Sequence, residues 1–147
     1  MNRPANIHRR PQTRRRGRSG AVVVEFAICV PILFLFFFAA LEFSRVNMIR
    51  QTIENATYEG SRRGIVPGAT AADCRNAAQL VLNTVSTNDA TITVTPSVIT
   101  PDTSKVTVTI SVPVDSNSWI TPLFFENKTL TNSMTMRRER LSSNSVP

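Results

Sequence analysis

The sequence predicts an α+β fold in which a long N-terminal helix is followed by a short second helix and a small antiparallel sheet of about three strands. Three successive patterns along the 147 residues indicate this order. The segment from Ala21 to Leu41 is almost continuously apolar, and the next segment spaces its apolar residues three or four apart. Beyond Asn88, apolar residues alternate with threonine and serine. Spacing of three and four is typical of helices, and alternation is typical of strands.

The apolar run predicts that the first part of the long helix, residues 21–41, spans a membrane. As a helix it would extend about 32 Å, close to the thickness of the hydrocarbon core of a bilayer. The length of the run and the lack of small residues at the usual cleavage offsets favour a retained helix over a removed signal peptide. The same missing cleavage site argues against a removed twin-arginine signal at Arg14 and Arg15. Membrane helices tolerate a proline such as Pro31.

The positive charge of the chain is concentrated before this run. Seven of the 17 basic residues and none of the ten acidic residues lie in residues 1–20, so the net charge of +7 belongs to this segment. Cationic flanks stay on the cytoplasmic side of a membrane, which predicts a basic cytoplasmic leader at 1–20 and an extracytoplasmic C-terminus. A DNA-binding arm is the competing interpretation. No helix-turn-helix, zinc or aromatic-basic pattern accompanies the arginines, so we expect no nucleic-acid partner.

Residues 42–66 are predicted to continue the helix outside the lipid as an amphipathic segment, helical to about Tyr58 and before the breaker at Gly60. Apolar residues recur there at helical spacing, and polar residues occupy the opposite side. The apolar stripe should pack on the remainder of the chain. The stripe consists of Val46, Ile49, Ile53, Ala56 and Gly60. The polar side consists of Asn47, Arg50, Gln51 and Glu54.

Residues 67–147 are predicted to form a small extracytoplasmic α+β domain. Thr70 and Asp73 resemble a helix-start box, and apolar spacing of three and four continues a second helix to about Val85. Period-two alternation then predicts three strands, containing Ile92 to Val94, Val106 to Val112, and Lys128 to about Met136.

The loop at 116–127 is expected to fold its aromatic residues Trp119, Phe124 and Phe125 back onto the domain, and residues 140–147 are expected to be frayed. Cys29 lies in the apolar run and Cys74 lies well beyond it. A disulfide would require a membrane-embedded residue to meet an external one, so we expect none, with Cys74 in the core.

One acidic residue, Glu25, interrupts the apolar run, five residues after Gly20. A carboxylate costs roughly 2.5 to 3.5 kcal/mol at the centre of a membrane helix, so it should have a partner. If the chain were cut after Gly20, the new amino terminus at Ala21 would lie about 6 Å of helix rise from Glu25. We expect the amine of one subunit and the carboxylate of a neighbour to neutralise each other.

The residue inventory argues against an enzyme. The sole histidine, His8, lies in the leader, which excludes a Ser-His-Asp or Cys-His arrangement in the exported part. Acidic residues beyond the leader show no spacing suited to a metal site. We therefore expect no catalytic residues, no metal and no cofactor.

The junction and the long helix together resemble the TadE-like pseudopilins of the Flp/Tad pilus. Gly20 followed by Glu25 is similar to a type IV prepilin junction, at which a membrane peptidase cuts after the glycine. The resemblance extends from Arg18 to Arg63. It is carried by Arg18, Gly20, Glu25-Phe26-Ala27, Pro31, Glu42, Arg45, Ala56 and Glu59-Gly60-Ser61-Arg62.

The resemblance implies a pilin-like fold and a minor pilin of the type IVc pilus, processed between Gly20 and Ala21, with Glu25 serving processing and assembly. Glu42 and Arg45 match a family pair one helical turn apart, for which a local ion pair is expected. The implied partners are membrane lipid, the prepilin peptidase, other pilin and pseudopilin subunits, and the pilus assembly platform.

The implied location is the bacterial inner membrane or, after assembly, the pilus, with a role in adhesion or secretion. An uncleaved single-pass membrane anchor that presents a small extracytoplasmic binding domain is the alternative.

Overall fold

The computed structural model describes residues 18–138, so most of the predicted leader and the predicted frayed tail lie outside the described residues. The chain divides into two units, Met1–Phe37 and Phe38–Pro147, and the first helix contributes residues to both. A short 3-10 turn lies between the last two strands. The order of elements confirms the predicted α+β class: α1 (Arg18–Gly64), α2 (Ala71–Asn83), β1 (Thr91–Thr95), β2 (Lys105–Pro113) and β3 (Thr129–Arg137).

In the first unit, the described residues form the N-terminal part of α1, which is apolar on all sides. Consecutive residues such as Val22, Val23 and Val24 are all exposed, as are Phe26 and Phe36. Pro31 lies within the helix and does not end it. Among the described residues, α1 is the one helix long and apolar enough to cross a membrane, and nothing in its most apolar window is buried. Such a helix is suited to lipid or to other helices on every side.

In the second unit, α1 is amphipathic in the way that the sequence predicts. Every position of the predicted apolar stripe is buried, with Ile49 and Ile53 at 0% and 1% exposure. Asn47, Arg50 and Glu54 on the opposite side are exposed. The stripe packs into one core with α2 and the sheet. Burial of this stripe by the rest of the unit stabilises the outer part of the helix.

The helix continues past its predicted end near Tyr58 to Gly64, because glycines here permit close packing. A Cβ atom at Gly60 would lie 3.2 Å from the Cβ of Ala78 and 3.3 Å from Val108 Cγ1. A Cβ at Gly64 would lie 2.8 Å from Val106 Cγ1. Gly60 and Gly64 therefore act here as contact residues that let α1 approach α2 and β2.

The second helix begins with the predicted capping box. The Thr70 hydroxyl accepts a hydrogen bond from the Asp73 N–H, and the Asp73 carboxylate accepts one from the Thr70 N–H. Cys74 is fully buried on the inner face of this helix, and it and Cys29 are both free thiols. The predicted position of Cys74 in the core is confirmed.

The three strands form one antiparallel sheet in the order β1-β2-β3. The central strand buries alternate residues completely, namely Val106, Val108, Ile110 and Val112. The outward positions of β2 and β3 form cross-strand hydroxyl hydrogen bonds of 2.8 to 2.9 Å. These pairs are Thr107 with Thr135, Thr109 with Ser133, and Ser111 with Thr131.

We expect Gly64→Ala to lower the free energy of unfolding of the second unit by about 1 kcal/mol or more. Overpacking costs about 1 to 3 kcal/mol, and the better helix propensity of alanine offsets at most about 1 kcal/mol. Urea unfolding of the full chain in detergent measures the change. Gly20→Ala is the matched control, because its added Cβ would meet nothing within 4 Å. Equal midpoints for Gly64→Ala and the wild type would contradict the proposed packing role.

Candidate functional site

The predicted processing junction lies in the first unit, where Gly20, Ala21 and Glu25 all belong to α1. All three residues are exposed. Ala21 and Glu25 are four residues apart and therefore lie on the same face of the helix. A Cβ atom at Gly20 would meet no other atom within 4 Å, so packing within the described chain does not require glycine at this position.

The second predicted site, Glu42, lies in the second unit and binds the loop that precedes β3. Its carboxylate accepts hydrogen bonds from three consecutive backbone N–H groups, those of Leu123, Phe124 and Phe125. The distances are 3.1, 3.0 and 2.8 Å. Glu42 thus satisfies the backbone N–H groups of residues 123–125.

These contacts also set the charge state of Glu42. Desolvation favours the neutral acid, but hydrogen bonds from the N–H groups of Phe125, Leu123 and Phe124 outweigh it and hold the pKa of the carboxyl below its ordinary value. Glu42 therefore remains ionised at neutral pH, and its charge strengthens the three hydrogen bonds.

Arg45 is buried, with 6% exposure, and connects two further loops to α1. Its Nε donates to the carbonyl oxygen of Asn117 at 2.8 Å, and its Nη2 donates to that of Val85 at 3.2 Å. The guanidinium also lies over the Trp119 ring, 5.1 Å from the ring centroid. The planar fork of arginine suits this combination of two carbonyls and one aromatic ring.

The ion pair predicted between Glu42 and Arg45 does not form, and the salt bridges among the described residues involve other side chains. Each residue of the pair binds the backbone of a distant segment instead. A local pair on a helix contributes only a few tenths of a kcal/mol, whereas a hydrogen bond to a charged group contributes roughly 1.5 to 3 kcal/mol. The tertiary partners are therefore preferred.

Asn117 was not identified by sequence reasoning, although it organises the same region. It is 3% exposed, and its amide exchanges two hydrogen bonds with the backbone of Asn88. The same Nδ2 donates to the carbonyl of Pro113. A lone asparagine in a polar loop carries no sequence signal for this role, because both partners are backbone groups brought close by folding.

The expectation that Trp119, Phe124 and Phe125 all fold back is wrong for the first two, which are 62% and 56% exposed. Phe125 is half-buried, and its ring centroid lies 6.3 Å from that of Phe43. We call residues 118–125 the aromatic loop. Hydrogen bonds to Glu42 hold the backbone of the aromatic loop, and Arg45 contacts one face of the Trp119 indole. Other side chains of the loop point outward.

A cavity of about 270 Å³ lies between the aromatic loop and the adjacent part of α1. Glu42 and Arg45 contribute to its wall, together with a mainly apolar lining of Phe38, Leu41, Trp119, Ile120 and Leu123. This lining is suited to contact with apolar groups.

Comparison with known families finds a match between residues 20–62 and the model of the TadE-like protein family. The resemblance noted from the sequence is thereby confirmed over this segment. The match includes Gly20, Glu25, Glu42 and Arg45, and it ends before α2 and the sheet. No curated protein and no solved structure matches the chain.

We expect Glu42→Gln to lower the free energy of unfolding at pH 7 by about 2 kcal/mol, because hydrogen bonds to a charged acceptor are replaced by neutral ones. The folded-state pKa of Glu42 is depressed. Its stabilisation is therefore complete above the unfolded pKa of about 4.3 and is lost as the pH falls through the lower folded pKa. Urea midpoints at pH 7 and at about pH 3 should show the difference between wild type and variant shrinking in acid.

Glu54→Gln is the matched control for this experiment. Glu54 lies on the same helix, is exposed, and pairs only with Arg50 four residues away among the described residues. We expect its replacement to change stability by less than about 0.5 kcal/mol. If Glu42→Gln resembled this control at pH 7, the role of Glu42 in holding the aromatic loop would be refuted.

Proposed function

Because residues 20–62 match the TadE-like family, we propose that this protein is a minor pilin, or pseudopilin, associated with a Tad-type pilus. In this proposal it is a structural subunit and not an enzyme. It is processed after Gly20, assembles through its apolar helix, and supports adhesion or secretion. The observation that carries the proposal is the helix itself, which combines an exposed apolar surface on all sides with a carboxylate five residues after Gly20.

Membrane insertion is the first step of the proposal. The apolar residues of α1 in the first unit are exposed on all sides of the helix, as with Val22, Val23 and Phe26, and such a surface is suited to lipid or to other helices. The seven arginines before Ala21 favour retention of the N-terminus in the cytoplasm, and hence a C-terminus outside. The bacterial inner membrane is the compartment that this orientation fits.

Processing by a prepilin peptidase is the second step. Packing within the described chain creates no need for glycine at position 20, which leaves recognition by another protein as a reason for it. Cleavage would remove the cationic leader and leave Ala21 as a positively charged amino terminus. The same cut would change the apolar helix from a cytoplasmically anchored segment into one that can leave the bilayer with a fibre.

Assembly is the third step, and Glu25 is the residue that makes it specific. In a bundle of apolar helices, the amine of Ala21 and the carboxylate of Glu25 can neutralise each other between neighbouring subunits. An unpaired charge in such a layer costs several kcal/mol, so subunits that place the two groups together are favoured. The apolar side chains around them exchange lipid contacts for contacts with neighbouring helices.

We expect the intact mass of the membrane-bound protein to decrease by residues 1–20 only when a cognate prepilin peptidase is expressed with it. Gly20→Leu should keep its full mass under the same conditions, because the larger side chain blocks the peptidase subsite that accepts glycine. Full-length protein with and without the peptidase would instead support the uncleaved anchor that presents a binding domain.

We expect Glu25→Ala to insert into the membrane normally but to cross-link to other pilin subunits at least tenfold less than the wild type, a loss of about 1.4 kcal/mol or more. Site-specific cross-linking within the apolar helix measures incorporation. Glu54→Ala is the control, since this acid lies on the exposed side of α1 in the second unit. Normal incorporation of the Glu25 variant would remove the proposed role of the carboxylate.

A further inference from the structure

We propose that the aromatic loop is a second membrane contact, which rests in the interfacial layer of the lipid bilayer. This inference builds on the proposed insertion of α1 and adds a lipid-binding surface outside the spanning helix. The surface consists of the exposed side chains of Trp119, Ile120, Leu123 and Phe124, together with Phe38 and Leu41 of α1.

The composition of the aromatic loop is unusual for a solvent-exposed segment. Residues 118–125 contain no charged side chain, and charged residues resume at Glu126. Trp119, Leu123 and Phe124 are 62%, 64% and 56% exposed. Apolar residues scattered singly on a surface need no explanation, whereas a group of them marks an interaction site.

Beyond residue 43, other large apolar residues such as Tyr58, Leu80 and Val98 are also exposed. They lie on different elements and are far apart in the sequence. The contrast assigns the aromatic loop as the apolar contact surface of this unit.

The identity of the occupant follows from what borders the surface. The cavity behind the aromatic loop is lined by Phe38 and Leu41, which are among the last residues of the apolar run that begins at Ala21. If that run spans the bilayer, Leu41 lies at its edge, and the loop residues that share a cavity with Leu41 lie at the same depth. Lipid is thus the neighbour that the proposed function itself supplies.

The side chains present suit the interfacial layer. Tryptophan is enriched at the level of the lipid headgroups, because its ring is apolar while its N–H can bond to water or headgroup oxygen. Phe124 and Leu123 add apolar area that favours shallow burial at the boundary with the acyl chains. Because the loop carries no charge, this contact should form with zwitterionic lipid and should not depend on anionic headgroups.

The backbone of the aromatic loop is also prepared for a medium poor in water. The N–H groups of Leu123, Phe124 and Phe125 all donate to Glu42. An unpaired backbone donor is costly to move toward lipid, and here the donors are already satisfied within the protein. Arg45 contacts the Trp119 ring, so the indole is held while more than half of its surface stays exposed.

Trp119 is the only tryptophan of the chain, which gives the inference a direct test. The full chain is reconstituted in phosphatidylcholine vesicles in which bromine atoms are attached at shallow or deep positions of the acyl chains. We expect the shallow bromines to quench Trp119 emission at least twofold, and the deep bromines to quench it less.

The matched control moves the fluorophore along α1, by combining Trp119→Phe with Tyr58→Trp. Tyr58 is also partly exposed, at 46%, but it lies about 25 Å of helix rise beyond Leu41. Little quenching is expected from this position. Similar quenching at both positions would indicate nonspecific adsorption and would overturn the inference.

Extraction of the same vesicles at alkaline pH separates this inference from the proposed function. Protein that resists extraction but shows unquenched Trp119 refutes the loop contact and leaves helix insertion intact. Protein that is extracted refutes both. A blue-shifted, unquenched emission that depends on the protein-to-lipid ratio would assign the surface to a second copy of the chain instead, which also overturns the lipid contact.

Discussion

The packing of the outer part of α1 against the sheet is the interaction on which the second unit depends. A three-stranded sheet with one apolar face cannot bury that face by itself, and β2 alone presents four fully buried residues to the helix side. The core joins Ile49 and Ile53 of α1 to this face, and the glycines at 60 and 64 bring the backbones close. The short α2 completes the core through Cys74, Ala78 and Leu82. The helix that is proposed to anchor the protein is therefore also its main structural support.

Residues within the TadE-like segment fall into two physical classes. Gly20 and Glu25 are exposed, and a Cβ atom at Gly20 would meet nothing within 4 Å, which suits roles toward other molecules. Glu42, Arg45 and Gly60 are explained by contacts inside the second unit, where they hold loops or allow close packing. A single stretch of helix thus carries both the elements proposed for assembly and those that organise the outer unit.

Glu42 and Arg45 connect the end of the apolar run with the loop region before β3. Both side chains lie within four residues of the end of the apolar run, and both hold segments of the loop region before β3. Glu42 binds three backbone N–H groups of the aromatic loop, and Arg45 contacts its Trp119 ring. The result is an apolar surface beside Leu41.

Local or periodic signals along the chain were sufficient to predict several elements. The all-round apolar helix, the stripe from Val46 to Gly60, the capping box at Thr70 and the alternating strands were predictable, since each follows from spacing along the chain. The end of α1 was not, because Gly60 and Gly64 look like breakers until the close contact with Val106 and Val108 is known.

Folding determines the partners of Glu42 and Arg45, the role of Asn117 and the outward direction of Trp119. The partners of Glu42 and Arg45 are backbone groups 40 to 83 residues away, and Asn117 binds the backbone of Asn88 and Pro113. A backbone N–H or carbonyl leaves no mark in the pattern of side chains.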